Sequence, residues 1–167
     1  LYGYRWAGLD AAGNPQVMLD DKLSTDYTAL QASTDLNNLH YVGPYNPPVF
    51  GSMRNTVGWK QWSFSFLITY KLGSYFRRPS LNYGSLFTSG NIARYVADYD
   101  KRWQQAGDEL KTQVPALVYP VPGARDAAYV SSDLLIEKGD HIRLRDIQLS
   151  YTLDKNTLKR LPVRGIR

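Results

Sequence analysis

The sequence predicts an all-β fold, about four to five antiparallel strands from the wall of a larger transmembrane barrel. Three observations carry that expectation. Residues 62–70 alternate with period two, the strand candidates are joined by very unequal connections, and the composition pairs 13 Tyr and 4 Trp with a mean hydropathy of −0.41. Abundant rings on a polar average suit either a membrane barrel with aromatic girdles and a wet interior, or a soluble sandwich with an aromatic binding face.

In chain order, residues 1–9 place Tyr2, Tyr4 and Trp6 on one face and read as the end of a strand begun upstream. Residues 52–59 alternate Met53, Val57 and Trp59 against Ser52, Arg54, Thr56 and Gly58. Lys60-Gln61 then separates this run from the next, which makes an antiparallel hairpin. Neither residue favours positive φ, so a loop one residue longer on each side is expected.

In residues 62–70, Trp62, Phe64, Phe66, Ile68 and Tyr70 share one face, and Ser63, Ser65, Leu67 and Thr69 the other. One face is large and apolar, the other small and mostly hydroxylic. Nine residues is about the length of a tilted membrane-crossing strand. In a barrel the first set faces lipid, while Ser63, Ser65 and Thr69, with Arg54 from the preceding run, face the lumen.

Residues 141–153 form the next strand candidate. Ile147, Leu149, Tyr151 and Leu153 share a parity that Ile142 and Leu144 break, so either a bulge near Arg145 and Asp146 shifts the phase, or the first half lies beyond the membrane. Residues 163–167 read as a strand just starting. A chain that opens and stops within strands is expected to be part of a longer one, so residues 1–167 are taken as an incomplete barrel domain.

The connections 10–50 and 71–140 are long, whereas 60–61 and 154–162 are short. With strands alternating in direction, both long connections fall on one side, as expected of a barrel with short periplasmic turns and long extracellular loops. Within the second, residues 92–105 set Ile92, Tyr95, Val96, Tyr99 and Trp103 at helical spacing, which predicts one short amphipathic loop helix.

No run is apolar enough for a spanning helix, and the absence of Cys excludes disulfides and thiolate metal sites. The net charge of +5 is spread along the chain without a basic helix or reading motif, so nucleic acid is not an expected partner. Arg77, Arg78, Arg143 and Arg145 are read as solvated charge at strand ends and in loops. Catalysis is not expected: His40 and His141 lie in different regions with no accompanying triad or metal spacing. Asp20-Asp21, Asp98 with Asp100, and Asp108-Glu109 match no calcium loop and read as solvated carboxylates. No cofactor or metal is expected.

A set of blocks spanning the chain carries a resemblance. They include Tyr4-Arg5-Trp6-Ala7-Gly8-Leu9-Asp10 with Gly13-Asn14-Pro15, Tyr41-Val42-Gly43, Asn46-Pro47, Asn55-Thr56 and Trp59-Lys60. Further on come Tyr70-Lys71-Leu72-Gly73, Arg102-Trp103 with Gly107-Asp108, Glu137-Lys138-Gly139-Asp140, Arg143-Leu144-Arg145 and Leu149-Ser150-Tyr151-Thr152-Leu153. In this order they resemble the SusC/RagA-type TonB-dependent transporters of the bacterial outer membrane, in the C-terminal part of the barrel. Gln61 stands where that family commonly has the turn glycine, and His141 where it often has Tyr.

The resemblance implies a barrel of about 22 strands holding a plug, a SusD-like surface lipoprotein as lid, energy coupling to TonB through an N-terminal region, and oligosaccharide or peptide cargo. The expected setting is the outer membrane. Tyr83, Phe87, Tyr95, Tyr99 and Trp103 in the second long connection are the candidate contacts to cargo or lid, since rings offer apolar area at little entropic cost. The alternative reading is a soluble aromatic-rich β-domain that binds glycans or peptides.

Overall fold

A computed structural model describes residues 1–86 and 98–153. In chain order the strands are β1 (Tyr2–Tyr4), β2 (Trp6–Leu9), β3 (Pro15–Leu19), β4 (Lys22–Ser24), β5 (Leu39–Tyr41), β6 (Val49–Trp59), β7 (Trp62–Leu72), β8 (Tyr75–Arg77), β9 (Ile136–Lys138) and β10 (His141–Tyr151). The α-helices are α1 (Tyr27–Ala32), α2 (Tyr83–Leu86) and α3 (Gly123–Val130). Strands predominate among the described residues, and no helix is long and apolar enough to cross a membrane. The predicted strand at 163–167 and the turn before it lie outside the described residues.

The chain divides into two compact units, Asn46–Ser74 with Gly139–Arg167, and Leu1–Tyr45 with Tyr75–Lys138. The first, the sheet unit, is an antiparallel sheet in the order β10-β7-β6, each strand 11 residues long. The expected hairpin forms with a shorter loop than predicted: Trp59 pairs with Trp62, leaving only Lys60 and Gln61 in the turn. Lys60 takes the left-handed conformation at φ +55°, and its ammonium lies 4.9 Å from the centroid of the Trp59 ring. A cation–π contact of that kind offsets part of the backbone strain.

The pairing of β10 with β7 resolves the parity break. Arg145 pairs with Leu67 and Gln148 with Ser65, so Asp146 and Ile147 together oppose Phe66. This is a bulge, with Asp146 at φ +52°. Because of it, Ile142 and Leu144 share a face with Leu149 and Tyr151 despite their opposite parity.

The second unit is a mixed body. Here the expectation of two long loops with one short helix is corrected: β2-β3-β4 form a meander, β1 pairs with β5, and β8 with β9. Residues 1–9 are likewise not a fourth strand of the long sheet; Tyr2 pairs with Tyr41, and Trp6 with Val17. Asp10 fixes the β2–β3 connection by accepting the backbone N–H of Ala12 and Asn14, an Asx-type turn completed by Gly13 at φ +75°.

Two clusters of buried side chains make the core of this unit. One joins Leu81, Tyr83, Val114, Tyr129 and Leu135, the other Val17, Leu30 and Ala128. Helix α3 links them, because its consecutive residues Ala128 and Tyr129 enter different clusters. Arg77 caps the C-terminal end of α3, donating to the carbonyls of Val130 and Ser132 at 3.0 and 2.8 Å and to that of Tyr2 at 2.7 Å. A cation there matches the negative end of the helix dipole.

The predicted helix at 92–105 falls partly outside the described residues. Its described part is a single short turn at Tyr99–Lys101, after which Arg102 is extended. Trp103 donates its backbone N–H to Val114, and the Asp108 carboxylate takes the N–H groups of Gln104 and Gln105. Those bonds replace the helical ladder and end it early.

Candidate functional site

The two faces of the sheet unit form the candidate site. In an antiparallel sheet, residues opposite each other share a face. Trp62, Phe64, Ile68 and Tyr70 of β7 therefore stand beside Trp59, Val57, Met53 and Gly51 of β6, and beside Tyr151, Leu149, Leu144 and Ile142 of β10. Phe66 stands between Asn55 and the bulge, so Asn55 is the one side chain with a polar amide in the interior of this face.

Within its own unit this face is left uncovered: Met53 is 51% exposed, Phe64 40% and Leu149 64%. Aromatic rings stand at both ends. Trp59, Trp62 and Tyr151 gather at the hairpin end, with the Trp62 and Tyr151 ring centroids 4.7 Å apart. At the other end the Tyr70 ring lies across Gly51, where any Cβ would collide with it.

The opposite face carries Ser63, Ser65, Leu67, Thr69 and Lys71 of β7, flanked by Ser52, Arg54 and Thr56 on β6 and by His141, Arg143, Arg145 and Gln148 on β10. Leu67 is the apolar exception in the middle strand. Arg54 pairs with Asp146 at 2.7 Å across β7, so the left-handed backbone at Asp146 directs its carboxylate onto this polar face. The two sets of residues that sequence periodicity separates thus fall on opposite faces of the sheet.

The candidate contact rings fare differently. Tyr83 is 1% exposed and its hydroxyl donates to the Pro115 carbonyl at 2.5 Å. It is a core residue, and its assignment as a surface contact is corrected: burial in a shared cluster removes it from any ligand. Tyr99 is half-buried with the Arg102 guanidinium 4.0 Å from its ring centroid. Trp103 is half-buried, donates its indole N–H to Glu109 at 3.1 Å, and its ring leaves no room for a Cβ at Gly13. These two rings also pack the unit against itself. Phe87 and Tyr95 lie outside the described residues.

Several charges read as solvated turn out to be structural. Arg78 donates to buried Asp98 at 2.6 Å and to Glu137 at 2.9 Å, while Ser80 donates to the same Asp98 oxygen at 2.6 Å. Burial pushes the Asp98 carboxyl up, but the bonds from Ser80 and Arg78 and the charges of Arg78 and Lys101 outweigh it and hold the group below the ordinary carboxylate range. Arg125, 3% exposed, donates to the carbonyls of Gly13 and Ala116 and to the Asn14 side chain at 2.9 to 3.0 Å. Nothing in the spacing of Arg125 marks it as buried, since its acceptors come from distant segments. Asp108 and Glu109 accept local bonds, and Asp20 and Asp21 form the left-handed β3–β4 turn.

His40 meets Asp133 at 2.7 Å and His141 meets the Gly139 carbonyl at 2.8 Å. No group of three or more metal-ligating side chains occurs among the described residues. In comparisons with known proteins, no family model matches this chain and no curated protein matches it.

Proposed function

We propose that this chain is part of the wall of an outer-membrane β-barrel transporter, its sheet unit crossing the bilayer with the apolar face in lipid and the polar face toward the lumen. One observation carries the reading: three adjacent strands of bilayer-crossing length keep one continuous exposed apolar face, and a bulge preserves it where the sequence parity breaks. Soluble monomers rarely expose contiguous apolar patches of that extent. The rings at both ends of the face match interfacial girdles. Among the described residues β6 and β10 each have one unpaired edge, as expected of strands that continue into a larger sheet.

On this reading the chain enters β6, leaves β7 and enters β10 at the extracellular end. Import of oligosaccharide or peptide cargo, a SusD-like lipoprotein lid and energy from TonB follow from the resemblance of the sequence blocks. Catalysis is not part of the proposal.

Residues 1–167 hold no Cys, so single Cys probes can be placed here once any Cys elsewhere in the full-length protein is replaced. Quenching by brominated lipid at position 64 and its absence at position 65 are the expected result in the full-length protein. Equal quenching at both positions overturns the reading.

One observation favours the alternative, a soluble glycan- or peptide-binding domain. Tyr2 and Tyr41 form an exposed ring pair with centroids 4.9 Å apart, a platform suited to a ligand. A monomer stable in water without detergent would select it.

A further inference from the structure

We propose that the polar face of the sheet unit binds an acidic oligosaccharide, its carboxylate or sulfate groups held by Lys71, Arg143 and Arg145. The proposal rests on the transporter reading, which makes this face the wall of a passage.

The face holds a groove of about 470 Å³ toward the Lys71 end, lined by Phe50, Ser52, Thr69, Lys71, Arg143 and Arg145 among others. That volume is within the range of small-ligand sites. His141, Arg143 and Arg145 alternate along β10 and so stand about 6.8 Å apart on one face, and Lys71 is directly opposite His141. The acid that reaches this face, Asp146, is engaged by Arg54. Lys71, Arg143 and Arg145 make no ion pair among the described residues. A row of cations at that spacing repels itself, and an anion lying along it relieves the repulsion.

A sugar fits better than a peptide for a reason of geometry. Strand β7 is hydrogen-bonded on both sides, so its backbone groups are used, and an occupant of this face meets side chains alone. Peptides gain much of their affinity from main-chain bonds at free sheet edges. A sugar acid is read by side chains: Ser52 and Thr69, both bearing hydroxyls, are cross-strand partners on this face, and the Phe50 ring, 70% exposed on the same face, offers a surface for a pyranose.

The test is titration calorimetry on the full-length protein in detergent micelles. Tetragalacturonic acid, neutral galactotetraose and a tetraglutamate peptide serve as probes. Tetragalacturonate is expected to bind most tightly, to weaken as salt rises, and to lose about tenfold in affinity with Arg143→Gln or Arg145→Gln. Arg143→Lys is expected to keep most of the affinity. Unchanged affinity in the Gln variants, no binding by the wild-type protein, or a preference for tetraglutamate would each overturn the proposal. The same protein, carrying a probe at position 64 and reconstituted in bilayers of brominated lipid, is checked for quenching. A protein that inserts normally but ignores acidic sugar sinks this inference and leaves the transporter reading standing, whereas one that is not quenched sinks both.

Discussion

The Asp146 carboxylate meets the Arg54 guanidinium at 2.7 Å from a left-handed backbone position, φ +52°. A non-glycine residue in that conformation costs on the order of 1 kcal/mol, and an ion pair this exposed returns about 0 to 1 kcal/mol. The pair and the strain roughly cancel, so the bulge is kept for the phase shift it gives β10.

Asp146→Gly is therefore expected to change stability by less than about 1 kcal/mol, since the relieved strain offsets the lost pair. Deleting Asp146 closes the bulge and leaves Ile142, Leu144, Ile147, Leu149 and Tyr151 in unbroken alternation opposite the apolar face of β7. Deleting Ile147 also closes it but sets Asp146 opposite Phe66 on that face. Urea unfolding in lipid bilayers should show near-wild-type folded yield for the Asp146 substitution and deletion, and a clear loss for the Ile147 deletion. Equal yields for the two deletions would mean that the phase of β10 is incidental.

A cation in the middle of the apolar face should harm the protein more than one on the polar face. Phe66→Arg is expected to cost about 2 to 4 kcal/mol at mid-bilayer, and Thr69→Arg much less. The comparison is made by unfolding midpoints in bilayers of the same composition. Equal costs would argue against a membrane setting for this sheet.

Tyr83→Phe removes a buried donor from the Pro115 carbonyl, leaving an acceptor without its partner. A loss of about 1 to 3 kcal/mol is expected, read as an earlier unfolding transition of the mixed unit. Because the ring is buried, binding of cargo or lid in the folded protein should not change. Selective loss of binding at unchanged stability would restore Tyr83 as a contact residue.

Asp98 makes stability depend on pH with a definite sign. Its folded pKa is depressed, so its contribution is fully present above its unfolded value of about 3.9 and is lost as pH falls through the folded one. Asp98→Asn should destabilise the protein at neutral pH by about 1 to 3 kcal/mol, discounted for the partly exposed Arg78 partner. Thermal unfolding of the two proteins should differ by a constant amount above about pH 5 and converge below about pH 4. A gap that widens in acid would show the opposite linkage.

The faces of β6 and β7 were legible in the sequence because side-chain alternation is a local property of extended backbone. Trp62, Phe64, Phe66, Ile68 and Tyr70 must share a face wherever the strand goes. The site of the hairpin was equally local, since two alternating runs with two residues between them leave little else. The turn itself was misread by one residue on each side, because the cross-strand contact of Trp59 with Trp62 and the Lys60 ammonium over Trp59 override a turn propensity judged from the two residues alone.

What only the tertiary structure decided depended on partners far along the chain. Whether Arg145 and Asp146 mark a bulge is a question about the register with β7, and residues 1–9 are assigned by pairing with β5 and β3. Tyr83 shares its buried cluster with Tyr129, Arg77 caps α3, and Arg125 reaches back to Gly13 and Asn14. Each of these looks like a surface residue in its own segment. Periodicity tells which way a side chain points from its own backbone, but burial and pairing depend on what the rest of the chain brings to meet it.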